Sequence, residues 1–263
     1  MYSHDGALMS RALLIATLLT AALASPGGAQ TVSQAELPAA APFAADLHPF
    51  MATYQVFHEG RELGQATLQV VHVDTTRWRV DLEMKGQGLL RLTGLNVQQS
   101  TIFDSNGRSY RPLAQSTVKR VFLSNRKSVG VYDWNTHTAH WTGDVKKGRT
   151  DPVPLHDGDM SGLLIDLALV RDAQSGSTLH YRLVEDGRVR DHNWMVAPQT
   201  EAITVGDLGY DAMRASRVQA GGEDSSADGG TTIWVAAGVP TPIRILQRDN
   251  GADSTDLRLV QYK

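Results

Sequence analysis

The segment from His156 to Ala173, HDGDMSGLLIDLALVRDA, opens with a histidine, two aspartates and a serine within six residues. Such side chains do acid–base or hydrolytic chemistry when they converge, and they ligate a metal ion when their donor atoms meet at one point. The spacing here argues against both. Ser161 lies in Gly-x-x-Ser-Gly, not the Gly-x-Ser-x-Gly of a nucleophile elbow, and no alternation of parallel strands and helices surrounds it. His156 and Asp157 are adjacent, a placement that seldom brings two ligands to one ion. Elsewhere, His137 and His140 are three apart on an expected strand and so point to opposite faces. His58 and His72 can meet across a hairpin, but histidines on such ladders are commonly no more than half-buried polar residues. The acidic stretch Ala220–Gly230, AGGEDSSADGG, offers oxygens to calcium, yet it lacks the EF-hand spacing and the Gly-Gly-x-Gly-x-Asp repeat. It reads as a solvated hairpin tip. No metal, cofactor or catalytic residue is expected.

A structural role is available for the same cluster. Leu163, Leu164, Leu167 and Val170 recur at helical spacing, with Met160 in the first turn and Arg171 near the end. This predicts one amphipathic helix over about 159–172, with Asp159 as its N-cap and Asp157 as the fallback. A carboxylate there accepts from the orphan N–H groups of the first turn and meets the positive end of the helix dipole.

The rest of the chain is written in strands. RWRVDLEMK (Arg77–Lys85) alternates, with Trp78, Val80, Leu82 and Met84 on one face and charged residues on the other. A period of two marks a strand buried on one side, the usual antiparallel pattern. Thr53–Val73 reads as a hairpin reversing in GRELG. STVKRVFLS and SVGVYDW read as a second hairpin reversing at NRK, and WNTH turns the chain into TAHW. Near the end, PIRILQRD and DSTDLRLVQYK flank Asn250-Gly251, a pair suited to the positive φ angles of a two-residue turn.

Compartment follows from the first residues and from cysteine. Arg11 precedes the apolar run Ala12–Ala24, and the small residues SPGGAQ follow it. The run is too short to span a bilayer and has the form of a secretory signal, 1–29, cut after Ala29 or alternatively after Ala24. Met9 is a second candidate start. The Ala/Pro-rich 30–48 reads as a linker, leaving 49–263 as a single β-rich domain. The chain has no cysteine, so thiolate sites, disulfides and lipid attachment to cysteine are excluded, and the core must stabilise an exported domain alone. These features suit the periplasm of a Gram-negative bacterium, with no transmembrane segment once the signal is removed.

The formal net charge of −3 argues against a nucleic-acid binder. Base is nonetheless concentrated between Arg108 and Arg149, and Lys119, Arg120, Arg126, Lys127, Lys146, Lys147 and Arg149 form a candidate patch. It is either a solvated sheet face with its turns or a surface for an anionic envelope component such as lipid phosphate.

The opening YQVFHEGRELGQATLQV resembles the start of an exported bacterial family catalogued as domain of unknown function 3108. The family pattern has Tyr-x-Val, a Gly-x-x-x-Gly reversal, and a mid-chain Asp before a Leu-rich helix ending in Leu-x-x-Arg. A Trp strand, a Pro-Ile strand and a Leu-rich last strand complete it. Tyr54, Val56, Gly60, Gly64, Asp159 and Arg171 match, as do IWVA, TPIRI and TDLRLVQY; MSGLL departs from the family's Leu-Ser pair. The resemblance implies an exported β-rich domain with one helix and brings no catalytic residue.

The fold class that follows is mainly β: a strongly curved antiparallel sheet, an open barrel or sandwich, with the helix packed on its concave or open side. In outline this is similar to periplasmic lipoprotein carriers, a likeness of fold that assigns no activity. Three functions stay open. A non-enzymatic envelope protein binding an apolar or amphipathic ligand, lipid or another envelope component, would show a contiguous apolar cavity. A protein- or glycan-interaction scaffold would show a filled core, free sheet edges and a basic face. A hydrolase would show His, Asp or Glu side chains converging in one cleft.

Overall fold

In a computed structural model of the chain, the described residues are 47–87, 96–121, 124–218 and 229–263. The expected signal and nearly all of the expected linker lie outside them, as does most of the acidic stretch Ala220–Gly230. The first half contributes β1 (Phe50–His58), β2 (Arg61–Asp74), β3 (Arg77–Gly86), β4 (Asn96–Ser105), β5 (Tyr110–Val121), β6 (Ser124–Asp133), β7 (Thr138–Gly143) and β8 (Val153–Pro154). After α1 (Gly162–Asp172) come β9 (Thr178–Glu185), β10 (Arg188–Val196), β11 (Glu201–Val205), β12 (Leu208–Val218), β13 (Gly229–Ala236), β14 (Arg244–Asp249) and β15 (Ala252–Tyr262).

All strands belong to one antiparallel sheet, ordered β8-β7-β6-β5-β4-β3-β2-β1-β15-β14-β13-β12-β10-β9, with β11 paired to β12 alone. Most neighbours are hairpins; the long-range join is β1 with β15, Val56 opposite Leu257. Strand twist makes so wide a sheet curl rather than lie flat. Alternate residues of β1 and β2 (Ala52, Tyr54, Val56, Ala66, Leu68 and Val70) are buried on the inner face. The sheet is a barrel left open between β7–β8 and β9, and α1 fills it, touching β3, β4 and β5 on one side and β9 and β13 on the other.

The helix is therefore less amphipathic than its leucine spacing implies. Leu163, Leu164, Ile165, Leu167, Ala168, Leu169 and Val170 are all buried, which leaves it no broad polar face. A helix apolar all round is one enclosed all round. Among the described residues no helix is long and apolar enough to cross a membrane.

Several turns follow the sequence reading and two do not. Asn250 (φ 50°) and Gly251 (φ 77°) make the two-residue turn between β14 and β15, and Trp134–His137 turns β6 into β7. GRELG is not wholly a reversal: the turn is Glu59-Gly60, and Gly64 lies in β2 beside a bulge between Val56 and Phe57. Gly64 is required by close approach, since a Cβ there would stand 2.0 Å from the Lys85 carbonyl oxygen. NRK is not a turn either. Val121 pairs with Ser124, so Asn125, Arg126 and Lys127 lie within β6.

Where the sheet fails to close, its two ends meet around a second small core. Tyr132, Ala139, Trp141 and Leu155 pack there with Val184 from β9, and the Tyr132 hydroxyl donates to the Val184 carbonyl at 2.6 Å.

Candidate binding site

The acid–histidine segment serves this gap. Leu155 donates its N–H to His137 O at 2.8 Å at the β7 end, while Met160 pairs in parallel with Leu183 on the free edge of β9. The Met160 N–H donates to Arg182 O (3.0 Å) and the Met160 carbonyl accepts from Val184 N–H (2.9 Å). Asp159 holds the bend. It is 1% exposed, accepts from the His156 N–H at 2.8 Å, and forms a close ion pair with Arg182.

The expected cap is thus corrected. The helix starts at Gly162, its N-cap is Ser161, and no side chain caps it. Ser161 shares a buried 2.9 Å hydrogen bond with Thr101 instead. Asp159 lies too far upstream to reach the first turn, because the backbone from Met160 is committed to β9. Asp157 is exposed and 3.7 Å from Arg111. The charge near the helix start comes from Glu185, a residue distant in sequence: a Cβ on Gly162 would stand 3.4 Å from its carboxylate, which also accepts from Gln115. Negative charge at that end is stabilised by the helix dipole.

The histidine candidates do not converge. His58 bonds to the Ser254 carbonyl, whereas His72 packs against Trp78 with ring centroids 4.5 Å apart and ring planes tilted by 48°. His137 sits in its turn at φ 53°, and His156 is exposed. Among the described residues no group of three or more His, Asp or Glu is placed to hold a metal ion.

The basic candidates are divided by the period of the strands. Lys119 pairs with Arg126 across β5 and β6, so the two share a face; Arg120 and Lys127, one residue along, take the other. Lys119, Arg126, Lys146 and Arg149 line one small cleft of about 140 Å³ with Asp144 and Asp186, while Arg120, Lys127 and Lys147 stand outside it.

Lys119 also reaches a larger space. The open end of the barrel encloses a cavity of about 510 Å³, floored by the first turns of α1. Its apolar wall includes Leu63, Leu82, Met84, Val97 and Ile245, all inside the barrel yet only half-buried among the described residues. Trp78, Leu82 and Met84 pack against the core without full burial, Leu82 and Met84 on the cavity side, and Val80 is the one fully enclosed residue of the predicted β3 set.

The polar wall is made by β10 and β12. Along β10, Arg190 is exposed at the rim, His192 is half-buried and Trp194 is buried, with Arg217 opposite Trp194 on β12. Asp166 and Glu185 face them from α1 and β9. Enclosure and the nearby Glu185 push the Asp166 carboxyl up to about 7, and burial raises Glu185 as well. Burial together with Arg217 and Arg190 lowers His192 to about 4, keeping it neutral at pH 7.

None of these charged wall residues except Lys119 was singled out from sequence. A usable signal existed: Asp166 is a lone acid in the apolar run LLIDLALV, and Arg190 and His192 alternate in step with Trp194. A surface groove of about 530 Å³ is larger but offers less. Its Arg171 is bonded to Asp172 and stacked on Tyr110, and its Arg111 lies over Trp134.

Two family motifs also meet in the core. Tyr54, 1% exposed, donates to the Pro242 carbonyl at 2.8 Å, tying Tyr-x-Val in β1 to TPIRI before β14. That is a role in packing.

Comparison with known proteins gives the same fold and adds no activity. The chain is similar to a crystal structure from Brucella abortus titled as a beta-barrel-like protein of domain of unknown function DUF1849. The likeness has 9% identity and a TM-score of 0.50 over 84% of this chain and 99% of that one. No curated protein matches the chain. A model of the family described as protein of unknown function (DUF3108) matches residues 50–258, and the chain belongs to that family.

Proposed function

We propose that the protein is a non-enzymatic, exported envelope protein that binds an amphipathic molecule inside its open barrel, with the periplasm as its compartment. The observation that carries this is the set of half-buried apolar side chains, Leu63, Leu82, Met84, Val97 and Ile245, that line a cavity among the described residues. Among the described residues these side chains stay partly exposed, and covering them with the apolar part of a ligand contributes about 25 cal/mol per Å² of area removed from water. The volume of about 510 Å³ falls within the range of small-molecule sites, and the mixed lining suits a ligand with an apolar part and a polar one. The export expectation rests on the pattern of residues 1–29.

A second reading has one observation in its favour. Asp166 and Glu185 share the cavity, and the raised Asp166 carboxyl is suited to general-acid work near neutral pH. The engagement of Glu185 by Gln115 and by the helix start favours a structural task for that acid. Native mass spectrometry of protein purified from its own host separates the readings. A co-purifying amphiphile that stays intact on incubation supports binding, and one that is cleaved, with cleavage lost in Asp166→Asn, supports the hydrolase. Ligand-free protein from the native envelope would contradict both.

A further inference from the structure

The floor of the cavity carries an acid without a counter-ion. Asp166 lies one turn into α1 between Ile165 and Leu167, both buried, and it lines the cavity together with Leu163 and Leu183. Its helix is enclosed all round, so the exposure that Asp166 keeps is toward this cavity. The cations of the wall are engaged elsewhere. Glu185 acts on both Arg190 and Lys119, and Arg217 has a partner of its own. Among the described residues the one charge that acts on Asp166 is Glu185, a second acid, which opposes its ionisation. We infer that filling the cavity is coupled to uptake of a proton by Asp166, so that the ligand is held below neutral pH and loosened above it. The inference names the regulation of the site proposed above and rests on that binding function.

The cause is solvation. A carboxylate on a partly open floor is stabilised by the solvent that reaches it through the cavity. An apolar chain along Leu82, Met84 and Ile245 displaces that solvent and offers no charge in return. Burial already pushes Asp166 up to about 7, and covering it moves it further the same way. The occupied protein then binds the proton more tightly than the empty one. Affinity is therefore flat below about 7, falls as pH rises through that value, and levels off above the value of the occupied protein. The neighbouring groups do not supply this effect. Glu185 on β9 is raised by burial as well, but the hydrogen bond from Gln115 and the charges of Arg190 and Lys119 favour its ionised form, so Asp166 is the acid that takes the proton. His192 on β10, lowered to about 4 by burial and by Arg217 and Arg190, stays neutral across the range. Tyr54 on β1, which feels Asp166 from the core side, is raised by burial and keeps its proton. Arg190 on β10 and Arg217 on β12 keep their charge at these pH values. From β3, β4 and β13 the cavity receives Leu82, Met84, Val97, Gln99 and Thr231, none of which titrates.

The test is isothermal titration of the delipidated protein with N-phenyl-1-naphthylamine, an apolar probe that stays uncharged, in pairs of buffers of different ionisation enthalpy. If occupation pushes the carboxyl up by about one further pH unit, binding should take up about 0.4 of a proton at pH 8 and less than about 0.1 at pH 6. The dissociation constant should then be about eightfold larger at pH 9 than at pH 6. Asp166→Asn should take up no proton and keep the wild-type pH 6 affinity at every pH. Glu185→Gln should retain the uptake but displace it to lower pH, because the charge opposing ionisation is gone. A wild-type affinity independent of pH, with no proton taken up, overturns the coupling and leaves the binding function standing. Uptake undiminished in Asp166→Asn, or abolished at every pH in Glu185→Gln, overturns the assignment to Asp166. Failure of the probe to bind at any pH overturns the binding function itself; the wild-type series needs no variant to fold.

Discussion

Replacing Asp159 discriminates between two roles for one carboxylate. As a helix cap it would be worth about 0.5–2 kcal/mol, and asparagine would serve nearly as well. In the structure it is instead the buried member of an ion pair with Arg182, whose side chain is 19% exposed, and it fixes the bend that lets Met160 join β9. Removing one partner of a buried pair leaves the other uncompensated, at about 3–5 kcal/mol. Asp159→Ala should therefore cost that much in urea-induced unfolding, and Asp159→Asn should recover only the bond from the His156 N–H. Arg182→Met should be of similar size. The double variant should fall well short of the sum, with a coupling of about 1–3 kcal/mol. A loss below about 2 kcal/mol in Asp159→Ala, restored by asparagine and additive with Arg182→Met, would refute the latch and return the residue to a cap.

Further outcomes follow from the same structure. Asp166 holds its proton to about 7 when folded but releases it near 3.8 when unfolded, so the folded state binds more protons in between. Wild-type stability should fall as pH rises across that window and then level off. Asp166→Asn should be more stable at pH 8, by up to about 4 kcal/mol, with no gain at pH 4, in melts across pH. Val80→Ala, at a fully enclosed site, should cost about 2 kcal/mol, while Leu82→Ala, facing the cavity, should cost less and still weaken chain binding. Tyr54→Phe should lose about 1–3 kcal/mol by orphaning the Pro242 carbonyl, read from the shift in denaturation midpoint. A chelator should leave the melting temperature unchanged.

The class of fold was legible because it is local. Alternation in Arg77–Lys85, the Asn250-Gly251 turn and leucines at helical spacing each encode their own element. Turn position was read less well: Val121 already pairs with Ser124, so NRK lies inside β6, because cross-strand register, which the sequence does not display, sets where a hairpin reverses. Asp159 looked like a cap since cap and latch both need a short acid before a helix; the difference lies in Arg182, which only β9 brings near. The cavity was out of reach for the same reason. Arg190, His192 and Arg217 are ordinary alternating strand residues until curvature turns their face inward toward Asp166.

The central claim, that an amphiphile's chain lies inside the barrel, is met most directly by quenching with a fatty acid brominated in its chain. Bromine quenches indole only at near contact, and of the five tryptophans Trp194 is the one lining the cavity. The account predicts saturable quenching of part of the emission that disappears in Trp194→Phe and is reversed by excess unbrominated fatty acid. An unquenched protein, or quenching undiminished in Trp194→Phe, would place the chain elsewhere and contradict the account.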